Sequence, residues 1–206
     1  ITLNTNGGNF PMTLRIDWGT GCTGLDGRLR EGALDCTFTD FYTEPGSELS
    51  IQTDGYKVDG FLLEGEQIIT NLGRNSAGNL TFSVAVPNGL ITTPDGNELT
   101  WNSERTREWI AGEGTNFFTD GIPGVCDDDY SITGFGEGMT SGGTEYRIKT
   151  LSDVRWEVCC RRPTGGIIDY SIEGNSIAQI DYNTTSCSNP SATLTYDGQE
   201  YVVVVQ

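Results

Sequence analysis

The chain has 206 residues, 29 acidic against 12 basic, no histidine, 28 glycines and a formal charge of −17. A field of that sign repels phosphate backbones and anionic headgroups, so nucleic acid and membrane surfaces are poor partners. Without histidine no Ser-His-Asp or Cys-His nucleophile can be assembled, and the zinc sites that recruit histidine are excluded as well.

Strand signals run the length of the chain. Apolar alternation predicts strands over 13–18, 33–41, 49–53, 56–70, 79–86 and 98–110. It predicts further strands over 130–136, 144–150, 154–160, 166–172, 176–182, 192–196 and 201–205. Turn chemistry separates them at Leu25-Asp26-Gly27, Asp54-Gly55, Pro94-Asp95-Gly96, Ser141-Gly142-Gly143, Gly174-Asn175 and Asp197-Gly198. No segment carries a capped 3.6-residue apolar repeat. The expected fold is all-β: an antiparallel β-meander, one large sheet or a sandwich of about a dozen strands. The expected organisation is a single β-rich unit over 1–206. A candidate division into 1–111 and 130–206 falls at the segment 112–129, which lacks alternation and contains Pro123. The run Arg15 to Cys22 echoes Gln179 to Cys187: each reads as a strand ending Ile-Asp-aromatic, then a polar turn, then cysteine.

Six cysteines, Cys22, Cys36, Cys126, Cys159, Cys160 and Cys187, are spaced without any C-x-x-C pair. An even, widely spaced set predicts disulfides and an oxidising compartment. A hairpin centred on Leu25-Asp26 places Cys22 opposite roughly residue 29, so a Cys22–Cys36 bond would need a bulge or slip. Cys187 is expected to pair with Cys159 or Cys160, and a vicinal pair on a strand would send one thiol to each face. The connectivity stays open. The chain starts at Ile1 without a charged-then-apolar leader, so an export signal is expected to have been removed. No N-terminal cysteine offers a lipid anchor on this form. No apolar run approaches the ~20 residues of a membrane helix.

The tract Asp127-Asp128-Asp129 is the densest acidic cluster, but consecutive residues alternate direction and cannot all face one calcium ion. A solvated loop is the expected reading, and neither a metal nor a cofactor is expected. Carboxylate-dependent glycoside hydrolysis needs no histidine, yet a supply of 29 acids identifies no pair. Glu104 and Glu108 are expected to pair with Arg105 and Arg107 at the surface. On 98–110, period-two alternation puts Leu99, Trp101, Ser103, Arg105, Arg107 and Trp109 on one side. An exposed Trp and Arg stripe there would stack on sugar rings or a protein partner, which makes Trp101, Arg105, Arg107 and Trp109 the binding-face candidates. The bland reading, preferred here, is a partly buried ladder. Gly134-Phe135-Gly136-Glu137-Gly138 lacks the helix that would make it a phosphate loop. Asn79-Leu80-Thr81 and Asn183-Thr184-Thr185 match the N-glycosylation pattern.

The termini carry the leading functional reading. Ile1-Thr2-Leu3-Asn4-Thr5 alternates before Gly7-Gly8, and Tyr201 to Gln206 is apolar on both faces, as in a central covered strand. Such segments could complete a neighbouring copy's sheet by β-augmentation, with Ile1, Leu3, Tyr201, Val203 and Val205 as assembly candidates. The other reading has both strands closing their own sheet.

The run Thr13 to Arg28 resembles exported, lipoprotein-like β-rich proteins of Bacteroidetes-type bacteria. So do Thr70-Asn71-Leu72-Gly73, Thr81 to Val84, Thr106 to Ile110, Cys160-Arg161-Arg162-Pro163 and Ile180 to Cys187. The resemblance covers most of the chain. It implies an envelope or extracellular location and assigns no catalytic residue. The chain departs from it in lacking a lipobox cysteine and in the vicinal Cys159. Together these features lead to a non-catalytic extracellular structural protein, a filament-like subunit whose partners are copies of itself. A surface module binding glycans or proteins is the alternative, and a carboxylate glycoside hydrolase the second alternative.

Overall fold

A computed structural model describes residues 1–24, 26–115, 117–183, 187–188 and 190–205, with only the backbone described at 117 and 118. The strands are β1 (Thr2–Asn4), β2 (Met12–Thr23), β3 (Leu29–Phe38), β4 (Glu48–Val58), β5 (Phe61–Glu64), β6 (Glu66–Arg74) and β7 (Leu80–Thr92). They continue as β8 (Glu98–Ala111), β9 (Asp129–Met139), β10 (Glu145–Glu157), β11 (Arg162–Ile172), β12 (Asn175–Asp181), β13 (Ser191–Tyr196) and β14 (Gln199–Val204). They form one 14-stranded sheet in the order β1-β2-β3-β4-β5-β7-β8-β9-β10-β11-β12-β13-β14, with β6 paired to β4 and β7. The all-β antiparallel meander is therefore the fold. Two four-residue helices, α1 (Phe117–Asp120) and α2 (Pro123–Cys126), and two short 3-10 turns complete it. No helix among the described residues is long and apolar enough to cross a membrane.

Two-residue turns make the meander. Asp59-Gly60, Glu173-Gly174 and Asp197-Gly198 each hold two successive positive φ angles, the requirement of a type I′ hairpin. The flanking pairs Val58↔Phe61, Ile172↔Asn175 and Tyr196↔Gln199 show that only two residues lie in each loop. The turn expected at Gly174-Asn175 thus sits one residue earlier. The strand expected over 56–70 is interrupted by Asp59-Gly60 and again at Gly65.

Asp54-Gly55, expected as a turn, lies inside the continuous strand β4. Gly55 has φ +59 and faces Gly32, φ +72, across a register shift between Glu31 and Ala33. A Cβ on Gly32 would stand 2.2 Å from the Gly55 carbonyl oxygen, so this bulge exists only because Gly32 has no side chain. In the same way 144–150 and 154–160 do not form two strands. β10 runs through with bulges after Thr150 and Ser152, and the bulge rests against Gly166, where a Cβ would meet the Asp153 carbonyl at 2.3 Å.

The residues group into two compact units. The first comprises 1–73, 82–104 and 137–144, the second 74–81, 105–136 and 145–206. The expected break at 112–129 is not where they divide, because that segment lies wholly in the second unit. In the first unit Ala33, Cys36, Ile69, Phe82, Val84 and Val86 are buried, with Tyr42 stacked on Phe82 at 4.6 Å. In the second the buried hydrophobic residues are Leu80, Val154, Cys160 and Ala192. The strand β7 follows the period-two rule closely, with Leu80, Phe82, Val84 and Val86 buried and their neighbours less so.

Candidate functional site

Cys126 is bonded to Cys159 and Cys160 to Cys187. The vicinal pair can serve two partners because it does not lie on a strand. Val158–Cys160 is a 3-10 turn closed by Arg161 in the left-handed region at φ +56, which corrects the expectation of thiols on opposite strand faces. Cys22 and Cys36, the other two disulfide candidates, are free thiols, Cys22 exposed and Cys36 buried. Along β2 the ladder sets Cys22 opposite Arg30 and Leu14 opposite Cys36, so the two sulfurs sit towards opposite ends of one hairpin. Burial, then the neighbouring Asp35 charge, pushes the Cys36 thiol pKa up. The two disulfides mark a non-cytoplasmic, oxidising environment.

Around the disulfides the second unit gathers its ionisable groups. The acidic tract is not the solvated loop expected from the sequence: Asp128 and Asp129 are 8% and 5% exposed. Its three carboxylates turn to three different partners. Asp127 accepts the Thr115 hydroxyl at 2.9 Å, Asp128 the Trp109 indole N–H at 3.1 Å, and Asp129 the Arg155 Nε at 2.7 Å. The other Asp129 oxygen is buried and meets no hydrogen-bond donor among the described residues. Burial raises the Asp128 pKa above the ordinary aspartate value. The indole hydrogen bond opposes that shift, Asp127 adds to it, and a bond from Tyr130 opposes it again. Arg155 also lies 3.7 Å from Glu157, whose Oε1 accepts the buried Thr164 hydroxyl. One guanidinium therefore serves both acids.

Glu157, Cys160 and Cys187 are the one group of potential metal ligands close together among the described residues. Its two sulfurs are bonded to each other and supply no thiolate.

The β8 stripe is the less exposed side of its strand. Ser103 is buried, Leu99, Trp101, Arg105, Arg107 and Trp109 are half-buried, and Glu98, Thr100, Asn102, Glu104 and Thr106 are exposed. Trp101 belongs to the first unit, where its ring and carbonyl close over Gly89, leaving no room for a Cβ there. Arg105, Arg107 and Trp109 belong to the second. There the Arg107 guanidinium lies 5.0 Å from the Tyr130 ring centroid, and Trp109 packs on the same ring at 5.6 Å. Burial, then the charge of Arg107, lowers the Arg105 pKa. Glu108 accepts from Asn79 at 2.7 Å rather than from the arginines expected. The same bond engages the half-buried Asn79 of the first glycosylation pattern. Thr184 and Thr185 of the second lie outside the described residues.

The sequence echo is not a structural repeat. Arg15 to Cys22 runs within β2, whereas its counterpart leaves β12 after Asp181 and includes residues outside those described.

Both terminal strands are paired within the chain. β1 lies against β2 from Thr2↔Arg15 to Asn4↔Thr13, and β14 against β13 from Ser191↔Val204 to Tyr196↔Gln199. They are the two outermost strands of the sheet, so Tyr201–Val205 is not the central, doubly covered strand expected. Of the assembly candidates, Ile1 is 89% exposed, Leu3 60% and Tyr201 46%, and Val203 and Val205 are half-buried. Period-two reading favoured Val203, yet Val202 and Val204 are the open pair, at 81% and 67%. Gln206 lies outside the described residues.

An antiparallel all-β, disulfide-bonded protein is the class that fold and cysteines define. Comparison with protein-family models, with curated proteins and with solved structures finds no match.

Proposed function

We propose that this chain is a non-catalytic structural protein of the cell surface or extracellular space, and that it assembles with copies of itself through its outermost strands. One observation carries the reading: β14, an outermost strand, is mostly apolar and holds no Lys, Pro or bulge. Soluble β proteins blunt an open edge with Lys, Pro, bulges or inward charges, because its unpaired N–H and C=O groups template another chain. Charged residues make up 20% of the chain, yet β1 has none and β14 has only Glu200. Val202 and Val204 on β14 stand open to solvent. In-chain pairing of both termini favours edge-to-edge addition over donation of a strand into a neighbour. Disulfides beside β10–β12 would keep the recipient sheet rigid. The resemblance to exported Bacteroidetes-type proteins fits the extracellular placement.

The test is negative-stain microscopy and sedimentation of the oxidised protein beside Val202→Lys/Val204→Lys and Leu3→Lys. Ordered polymers are expected from the parent and not from the β14 variant, with unchanged far-UV dichroism. A monodisperse monomer at high concentration, or polymers unaffected by both variants, rejects the proposal.

A further inference from the structure

The backbone hydrogen bonds of β14 alternate in direction, and both ends of the β13–β14 hairpin fix their phase. Asp197-Gly198 is a two-residue loop, which makes Tyr196 and Gln199 a hydrogen-bonded pair. At the far end Val205 donates its N–H to the Pro190 carbonyl at 2.6 Å. From either end the phase agrees: Gln199, Tyr201, Val203 and Val205 turn their backbone groups towards β13. Glu200, Val202 and Val204 turn theirs the other way, where no strand lies among the described residues. The bare edge thus offers the N–H and C=O groups of three residues.

The side chains of the same three residues share one face of β14 by period two. Val202 lies opposite Thr193 and Val204 opposite Ser191, and both valines are exposed. Glu200 is the one charged residue of the strand. A partner for this edge must bring three residues with outward N–H and C=O groups, apolar side chains for the valines, and no second carboxylate beside Glu200. β1 spans three residues, so alternation turns at most two of them outward. A second copy of β14 meets every requirement. Laid antiparallel about a two-fold axis through Val202, it sets Val202 opposite Val202 of the second copy and each Glu200 opposite the other copy's Val204. All the outward groups of Glu200, Val202 and Val204 then find partners on both copies. The two Glu200 carboxylates stand about 14 Å apart along the strands, beyond the screening length of physiological salt.

We infer that β14 is the contact strand of a two-fold dimer of this chain, paired antiparallel with β14 of a second copy in the register Val202↔Val202 and Glu200↔Val204. The inference rests on the reading that the chain assembles with copies of itself, and it adds the partner strand, its direction and its register. An isologous contact uses up the edge on which it forms, so growth beyond the dimer falls to β1. Val202 sits at the axis, so any charge placed there meets the same charge on the second copy.

The test is sedimentation of the oxidised full chain carrying Leu3→Lys, in salt that screens the net charge of −17. A dimer is expected. Adding Val202→Lys, or adding Val202→Glu, should weaken it about tenfold or more. An equal mixture of those two variants should restore dimers, because opposite charges then meet across the axis. A second measure reads the register directly. In a Cys22→Ser background, Glu200→Cys protein should be joined by a short thiol cross-linker to Val204→Cys protein and not to itself. Far-UV dichroism should be unchanged throughout. Dimers indifferent to both Val202 variants, no recovery in the mixture, or Glu200→Cys protein joined to itself overturns the register. A parent that assembles while its Leu3→Lys variant stays monomeric overturns the β14–β14 pairing and leaves self-assembly standing, with β14 against β1 of the next copy. A parent that is monomeric throughout rejects both.

Discussion

The Trp109 indole donates its N–H to Oδ1 of Asp128 over 3.1 Å, tying β8 to the loop that leads into β9. Gly112 makes the approach possible, because a Cβ there would stand 2.4 Å from that same oxygen and 2.6 Å from the Asp128 Cα. Trp109→Phe keeps the ring against Tyr130 and removes the donor from a buried acid. It should cost about 1–3 kcal/mol, read as a lowered denaturant midpoint with unchanged slope.

Asp128 carries a pH dependence of its own. Its folded pKa is raised by burial, so the native state binds that proton more tightly than the unfolded chain. The contribution is therefore unfavourable at neutral pH and is relieved as pH falls through the folded pKa. Asn at this position keeps an oxygen for the indole and carries no charge. Asp128→Asn should equal or exceed the parent in stability at neutral pH, with the gap closing near pH ~4. Denaturant titrations at the two pH values measure this, and a gap that widens on acidification would contradict the assignment.

The cysteines give a counting experiment. Native protein should react with about one equivalent of maleimide, at exposed Cys22, because Cys36 is buried and its thiol is disfavoured as thiolate. Denatured but unreduced protein should show two reactive thiols, and reduced protein six. The bonds span 33 and 27 residues, so chain entropy assigns each about 3.5 kcal/mol. Cys126→Ala/Cys159→Ala and Cys160→Ala/Cys187→Ala should each lose an amount of that order.

Gly32 and Gly55 face each other across the β3–β4 bulge but are not equivalent. A methyl group on Gly55 meets nothing within 4 Å and incurs only the left-handed backbone penalty, about 1–2 kcal/mol. On Gly32 it collides with backbone of β4 as well. Gly32→Ala should lower the thermal midpoint further than Gly55→Ala. Equal shifts would mean that the bulge relaxes freely.

The all-β fold was legible because period-two alternation and Asp-Gly or Gly-containing turns are local signals, and Asp197-Gly198 is a turn where expected. Asp54-Gly55 shows their limit. The same dipeptide serves a hairpin or a bulge, and the choice depends on whether a glycine lies opposite, which is Gly32, more than twenty residues away in sequence. The disulfides were legible only as a set of six candidates, of which four are bonded. Cys159 and Cys160 reach two partners through a left-handed Arg161, and no sequence period announces that turn.

For the sites, residue type without neighbours misled in both directions. Asp127-Asp128-Asp129 reads as solvated and is largely buried, because Trp109, Arg155 and Thr115 arrive from other elements to satisfy it. Val202 and Val204 read as covered and stand open, because β14 is the last strand of the sheet. Charge and strand period are properties of a residue and its near neighbours, and the chain alone determined them. Which carboxylate is buried, which cysteines pair and which strand lies outermost depend on segments distant in sequence, so the tertiary structure decided them.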